Sequence, residues 1–389
     1  MDKKARIAQF NRYLKALVTN GGSDLHLKAT GHVRARISGK LKILGKEKLS
    51  PKDMEEIVAS ITTPQQQAKL KEHKSLDFTY VLDENSRFRA NIFYQMYGLS
   101  AVFRIIPVKI PSLEDLNLPK VISSFADFQR GLVLVTGVTG SGKSTTLAAI
   151  LDKINRTYPK HIITLEDPVE FVHPDKKCLI NQRSIGQDSN SFGDALPAAL
   201  REDPDIILVG EMRDVETIDL ALHAANTGHL VFSTLHTLDA KETINRVIGT
   251  FPEQEQNRVR LALASVLMGV ISQRLVPKIG GGRAAVTEIM VKTARIEELI
   301  AENRDFEIPD AIAEGKEMYG SQTFDQHLYD YVVNGVITEE VAMENATSPS
   351  DLKLKLEGVG GAGGTGGDDG DDEEVELDAF DFKDEEEDS

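Results

Sequence analysis

Eight consecutive residues, Gly137-Val138-Thr139-Gly140-Ser141-Gly142-Lys143-Ser144, followed by Thr145, have the types and spacing of a phosphate-binding loop. Glycines let the backbone turn tightly, so that successive N–H groups point inward at a β-phosphate. Lys143 adds a mobile positive charge, and the Ser144 hydroxyl suits Mg²⁺. The loop follows the apolar run Leu132-Val133-Leu134-Val135-Thr136 and precedes a helical pattern from Ser144 to Asn155. That helix would bring about half a positive charge to its N-terminus. The ligand implied is ATP with Mg²⁺.

In a parallel sheet, ligands sit at the carboxyl ends of the strands. Glu166 and Asp167 follow the apolar run Ile162 to Leu165, Gly210 and Glu211 follow Ile206 to Val209, and His236 follows the run ending at Leu235. A carboxylate there can polarise an attacking water or hold Mg²⁺, and a histidine can sense a γ-phosphate. Polar strand ends or helix caps are the plainer reading of the same residues. His229 lies near the other end of the His236 strand, roughly 20 Å away at ~3.3 Å per residue, which leaves it structural or interfacial. Gly210 occupies the place where many such ATPases carry a metal-binding Asp. Asp167 or Glu166 could replace it, or Ser144 and water could suffice.

These residues need a scaffold. From Gly131 onward, short continuous apolar runs alternate with helical patterns (Ser144 to Asn155, Asp214 to Asn226, Gln254 to Ile271), as expected of a parallel sheet buried on both faces. The longest apolar run, Leu261 to Ile271, is too short for a bilayer and reads as a buried helix. Pro197 interrupts a helical pattern from Ser191 to Arg201, where it should remove a hydrogen bond and kink the chain. Residues 1–110 read as a small α/β domain: an amphipathic helix with Ile7, Phe10, Leu14, Leu17 and Val18, alternation at Val33, Ala35 and Ile37, and a helix opened by Ser50-Pro51. Strand patterns run from Arg87 to Phe93 and from Leu99 to Ile106, and Pro107, Pro111 and Pro119 punctuate a linker. Residues 111–355 hold the linker, the ATPase core and C-terminal helices, and 356–389 read as a Gly-rich linker and a disordered acidic tail.

The net charge of −16 is concentrated in that tail. Residues 368–389 carry 14 acids and one lysine, leaving 44 basic and 47 acidic residues elsewhere, a net of −3. So nearly neutral a body has no electrostatic footprint for nucleic acid, which disfavours a DNA translocase. The tail reads as a solubilising appendage, with Val375, Leu377, Phe380 and Phe382 allowing a sharper alternative, a short docking motif for a basic, apolar groove on a partner protein. The one cysteine, Cys178, excludes an internal disulfide and a Cys-rich zinc module.

Four ordered segments resemble the secretion and type IV pilus ATPase family, and within it the PilT/PilU retraction motors. They are Gly137 to Thr145, Ile163 to Phe171 (the family's Asp box), Asp203 to Asp214 (its atypical second nucleotide motif) and Thr227 to Thr237 (its His box); Ser23 to Leu27 also matches. The resemblance implies a PAS-like N-terminal domain, a RecA-like ATPase domain and a homo-hexameric cytoplasmic ring at the inner-membrane base of a pilus machine. It implies catalytic roles for Glu166 and Glu211 and arginines that reach the nucleotide, for which Arg87, Arg89, Arg104, Arg201 and Arg213 are the candidates. Extension motors of the family commonly carry a four-cysteine zinc module that this chain cannot build, which favours retraction. PilT-type motors carry Ala-Ile-Arg-Asn-Leu-Ile-Arg-Glu where this chain has Arg295 to Glu302, with Glu297 and Ala301 at the basic places. That favours a PilU-like accessory motor, partnered by a PilT-type motor and a membrane platform protein, and peripheral to the membrane. The competing reading is a nucleotide-binding scaffold ring with little hydrolysis of its own.

Overall fold

The computed structural model describes residues 3–358 except 38, 84–85 and 107–108. The expectations for Pro107 and for the acidic stretch 368–389 therefore lie outside the described residues.

The first sheet is an antiparallel six-stranded one built from β1 (Gly22–Lys28), β2 (His32–Ile37), β3 (Lys40–Lys48), β4 (Ser75–Asp83), β5 (Ser86–Gln95) and β6 (Gly98–Ile106), in the order β3-β2-β1-β6-β5-β4. The helix Lys3–Thr19 packs Phe10, Leu14 and Leu17, all fully buried, against one face. Ser50 caps the helix Pro51–Ile61 through a reciprocal box with Asp53, as the Ser-Pro start suggests.

The second sheet comprises β7 (Gly131–Thr136), β8 (His161–Glu166), β9 (Leu179–Ser184), β10 (Ile206–Val209), β11 (Leu230–Leu235), β12 (Leu267–Pro277) and β13 (Arg283–Val291), in the order β13-β12-β7-β11-β10-β8-β9. All neighbours are parallel except β12 with β13. Every residue of β7, β10 and β11 is buried. Leu132 and Leu134 face one helical layer, with Val215–Asn226 and Glu253–Val266, while Val133 and Val135 face the helix Lys143–Thr157. Each such side chain contributes about 1.5–3 kcal/mol of burial.

One expectation is corrected. The apolar run Leu261 to Ile271 is not a single helix: the helix Glu253–Val266 ends there and Leu267, at φ −71 ψ 111, begins β12. β12 is paired on both edges, between β7 and β13. A strand covered on both faces carries no period-2 signature, so its sequence cannot be told from a buried helix. Gly269 marks the change, because a Cβ there would lie 2.4 Å from the Phe125 ring. Pro197 lies inside the short helix Phe192–Ala199, which stops two residues later.

Candidate active site

The phosphate loop bridges the end of β7 and the helix Lys143–Thr157. Gly137 adopts φ +137, and a Cβ on it would lie 2.4 Å from the Gln273 carbonyl of β12, so no other residue fits without moving backbone. Val138 and Thr139 are exposed at the tip, whereas Ser141 and Lys143 are buried. The Lys143 ammonium donates to the Gly137 and Val138 carbonyls at 2.7 and 3.2 Å, folded back onto its own loop. Burial depresses its pKa, and the charges of Glu211 and Glu170 oppose that. Ser141 Oγ and Gln273 Oε1 are buried beside this loop without a hydrogen-bond partner among the described residues. A glycine-rich turn at a helix N-terminus, with the buried Ser141 hydroxyl able to donate, fits a phosphate.

Parallel pairing brings the ends of β8, β10 and β11 to the same sheet edge. Glu211 Oε2 lies 2.6 Å from the Arg213 guanidinium, and its Oε1 lies 3.3 Å from His236 Nε2. Burial pushes the Glu211 carboxyl up, but the Arg213 hydrogen bond and charge, with the His236 imidazole beside it, outweigh it, holding it below the usual range. Glu166 behaves in the opposite way. Desolvation pushes it up although its Oε1 accepts from Thr164 Oγ1 at 2.6 Å and from Gln182 Nε2 at 3.2 Å. Two carboxyls at one edge are thus driven in opposite directions, the pattern of an acid and base pair.

Gly210 has a steric reason. A Cβ there would sit 3.1 Å from the Leu165 carbonyl and 3.3 Å from Glu166 Cα, both main-chain atoms that cannot swing aside. The tight β8–β10 approach is sealed by a 2.7 Å bond from the Gly210 N–H to the Leu165 carbonyl. An aspartate at this place would need the main chain at Leu165 and Glu166 to give by a few tenths of an ångström.

Asp167 is exposed and adds to the negative surroundings of Arg213. His229 ends at the opposite sheet edge, bonded to the Ala224 carbonyl and Thr227. Arg201 is not brought to the loop in its own chain. It is exposed in the turn before the N-terminal end of β10, the edge away from the phosphate loop. Arg87, Arg89 and Arg104 stand on the six-stranded sheet, where Arg104 Nε bonds Asp24 at 2.8 Å. Glu170 was not singled out from the sequence, although its charge bears on both Lys143 and Glu166. The carboxylate repeated after Asp167-Pro168 was the available signal. Cys178 is buried, its thiol donating to the Tyr158 carbonyl and pushed up by burial, so it reads as inert.

A phosphate loop on an α/β sheet with an ionised glutamate at the next strand ends defines a P-loop ATP hydrolase. The chain matches the Type II/IV secretion system protein family over residues 1–343 and belongs to it. It is 48% identical over 331 residues to the type IV pilus retractation ATPase PilT of Pseudomonas aeruginosa, covering 85% of this chain and 96% of that protein. The type IV pilus ATPase PilU of the same organism is 37% identical over 350 residues, with 90% and 91% covered. The crystal structure of the pilus retraction motor PilT with bound ADP superposes with a TM-score of 0.82 at 44% identity, over 88% of this chain and 98% of that one. The expected PilT/PilU kinship and two-part α/β architecture hold. No helix among the described residues is long and apolar enough to cross a membrane.

Proposed function

We propose that this chain is a homo-hexameric motor that couples ATP hydrolysis to retraction of a type IV pilus for twitching motility, from the cytoplasmic side of the inner membrane. The observation that carries the hydrolytic part is the Glu211, Arg213 and His236 cluster at the phosphate-loop edge. Glu211, held ionised, accepts a proton from the attacking water, a role worth about 10²–10⁴ in rate. His236, hydrogen-bonded to Glu211, reports whether a γ-phosphate is present. Lys143 turns from its own carbonyls to the phosphates. Among the described residues no group of three or more His, Cys, Asp or Glu could hold a metal. Mg²⁺ would therefore rest on Ser144, phosphate oxygens and water, with Asp167 as an outer partner; when bound it neutralises charge on the β- and γ-phosphates.

Arg87, Arg89 and Arg104 belong to a sheet of their own, and we assign them to a neighbouring subunit's nucleotide. A trans arginine is worth about 10³ or more in rate. Arg201, on the far edge, has no use at its own site.

The finer reading is a PilU-like accessory motor working with a PilT-type partner and a membrane platform protein. It rests on Glu297 and Ala301, where PilT-type motors are basic. Glu297 lies 3.1 Å from Lys292 at the start of the helix Ala294–Ala301, so the altered charge is built into the surface. The higher overall identity to PilT weighs the other way. Deleting the gene and scoring pilus number and retraction force separately decides between them. Normal pilus number with weak retraction is the accessory result; hyperpiliation without motility would make it the main motor, and no pilus phenotype would overturn the retraction reading.

A further inference from the structure

The six-stranded sheet packs one face on helices and leaves the other open, and the open face is rich in arginine. Cross-strand register from β4 to β3 sets Thr79, Arg89, Arg104, Asp24, Arg36 and Leu41 in one row. The neighbouring rows add Arg34, opposite His26 and Ile43, and Arg87, opposite Val81 and Ile106. Asp24 serves Arg104 at 2.8 Å and Arg36 at 3.7 Å. Asp77, another acid on this face, is taken by Asn91 at 3.0 Å. Arg34, Arg87 and Arg89 have no ion-pair partner among the described residues. His26 Nε2 and Thr79 Oγ1 are buried there without a hydrogen-bond partner among the described residues.

Like charges placed opposite on adjacent strands destabilise a sheet, and Arg89 stands opposite Arg104. A face built this way calls for an anion. It is also apolar at its margins: Leu41, Ile43 and Val81 are 47%, 57% and 52% exposed.

The chain carries a matching anion. Residues 368–389 hold 14 acids against one lysine, with Val375, Leu377, Phe380 and Phe382 among them. We propose that this acidic stretch docks on the open face of the six-stranded sheet, its carboxylates on Arg34, Arg87 and Arg89 and its apolar side chains on Leu41, Ile43 and Val81. The nine residues 359–367 between it and the described chain can span at most about 30 Å. Docked there, the stretch competes with a nucleotide's phosphates for the arginines. That consequence rests on the trans-arginine reading above; the docking does not. Exposed charges are screened within about 8 Å at physiological ionic strength, so docking weakens with salt.

Zero-length carboxyl-to-amine coupling in the full-length protein, mapped by mass spectrometry, tests this directly. Lys28 shares the open face, and Lys40 and Lys42 lie on β3 at its edge. The expected links join acids of 368–388 to these lysines and fall at least fivefold at about 0.5 M salt. They fall similarly in the Arg87→Gln/Arg89→Gln double variant, whose Tm should match the parent and so exclude misfolding. Links confined to other lysines such as Lys153 and Lys176, links insensitive to salt and to the substitutions, or unlinked Lys28, Lys40 and Lys42 at every salt concentration would each overturn the docking. The last is the outcome if a neighbouring copy covers the face permanently. Loss of the acidic stretch should lower the KM for ATP at low salt. Links without that change would count against the trans-arginine reading and leave the docking standing.

Discussion

Glu288 offers the sharpest physical test of how the ATPase core is held together. It is buried on β13, opposite Ser272 in register, and its Oε1 accepts the Ala240 N–H at 2.8 Å, at the start of the helix Ala240–Gly249 that follows His236. Desolvation, aided by Asp239 and Asp325 and opposed by Arg274 and the Ala240 hydrogen bond, raises its pKa from 4.5 to about 7. The unfolded carboxyl releases its proton near 4.5, whereas the folded one keeps it until about 7. The folded state therefore binds more protons in that window, and stability falls as pH rises through it. At 1.36 kcal/mol per pKa unit, the charged form costs roughly 3 kcal/mol above pH 7.

Glu288→Gln keeps the acceptor for Ala240 and removes the titration. At pH 4.5 its stability should match the parent within the constant cost of the amide. By pH 8 it should gain roughly 3 kcal/mol relative to that baseline, about 6–12 °C in Tm for a unit of this size. His173 and His327, lowered to about 4 by burial, give the opposite slope between pH 6.5 and 4, stabilising as pH rises, but they cancel when variant and parent are compared at each pH. The assay is thermal unfolding of both proteins from pH 4.5 to 8. A Tm difference that stays constant across that range would show that Glu288 does not titrate differently in the folded and unfolded chains.

Two further outcomes follow from the site. Gly210→Ala must push backbone apart at Leu165 and Glu166, so it should cost about 1–3 kcal/mol and lower kcat more than nucleotide affinity; unchanged Tm and kcat would contradict that crowding. Arg213→Ala removes a group that holds Glu211 ionised, so the acid limb of kcat should move to higher pH; profiles that superimpose from pH 4.5 to 8 would show that Arg213 does not tune this carboxylate.

The phosphate loop and the acids behind it were legible because their chemistry is local. Glycine spacing, an apolar run and the residue after it fix which sheet edge they share, provided the strands are parallel. The capped helix at Ser50 was readable for the same reason. Leu267 was not, since a strand buried on both faces loses its period and the preceding helix has no glycine or proline stop. Gly210 looked like a missing ligand and is a close backbone contact, visible only when β8 and β10 are paired. The place of Arg201 at the far edge of its own sheet follows from connectivity, because the residues just before a parallel strand lie there. The row of Arg89, Arg104, Asp24 and Arg36 depends on register between four strands distant in sequence.

ATP turnover of the purified protein beside Glu211→Gln shows whether this strand end cleaves the nucleotide. The substitution preserves the shape of the side chain between Arg213 and His236 and removes the proton acceptor. Nucleotide affinity should stay within a few-fold of the parent and kcat should fall by about 10² or more. Turnover equal in the two proteins would contradict that role of Glu211, and would leave a ring that binds nucleotide without using this strand end to cleave it.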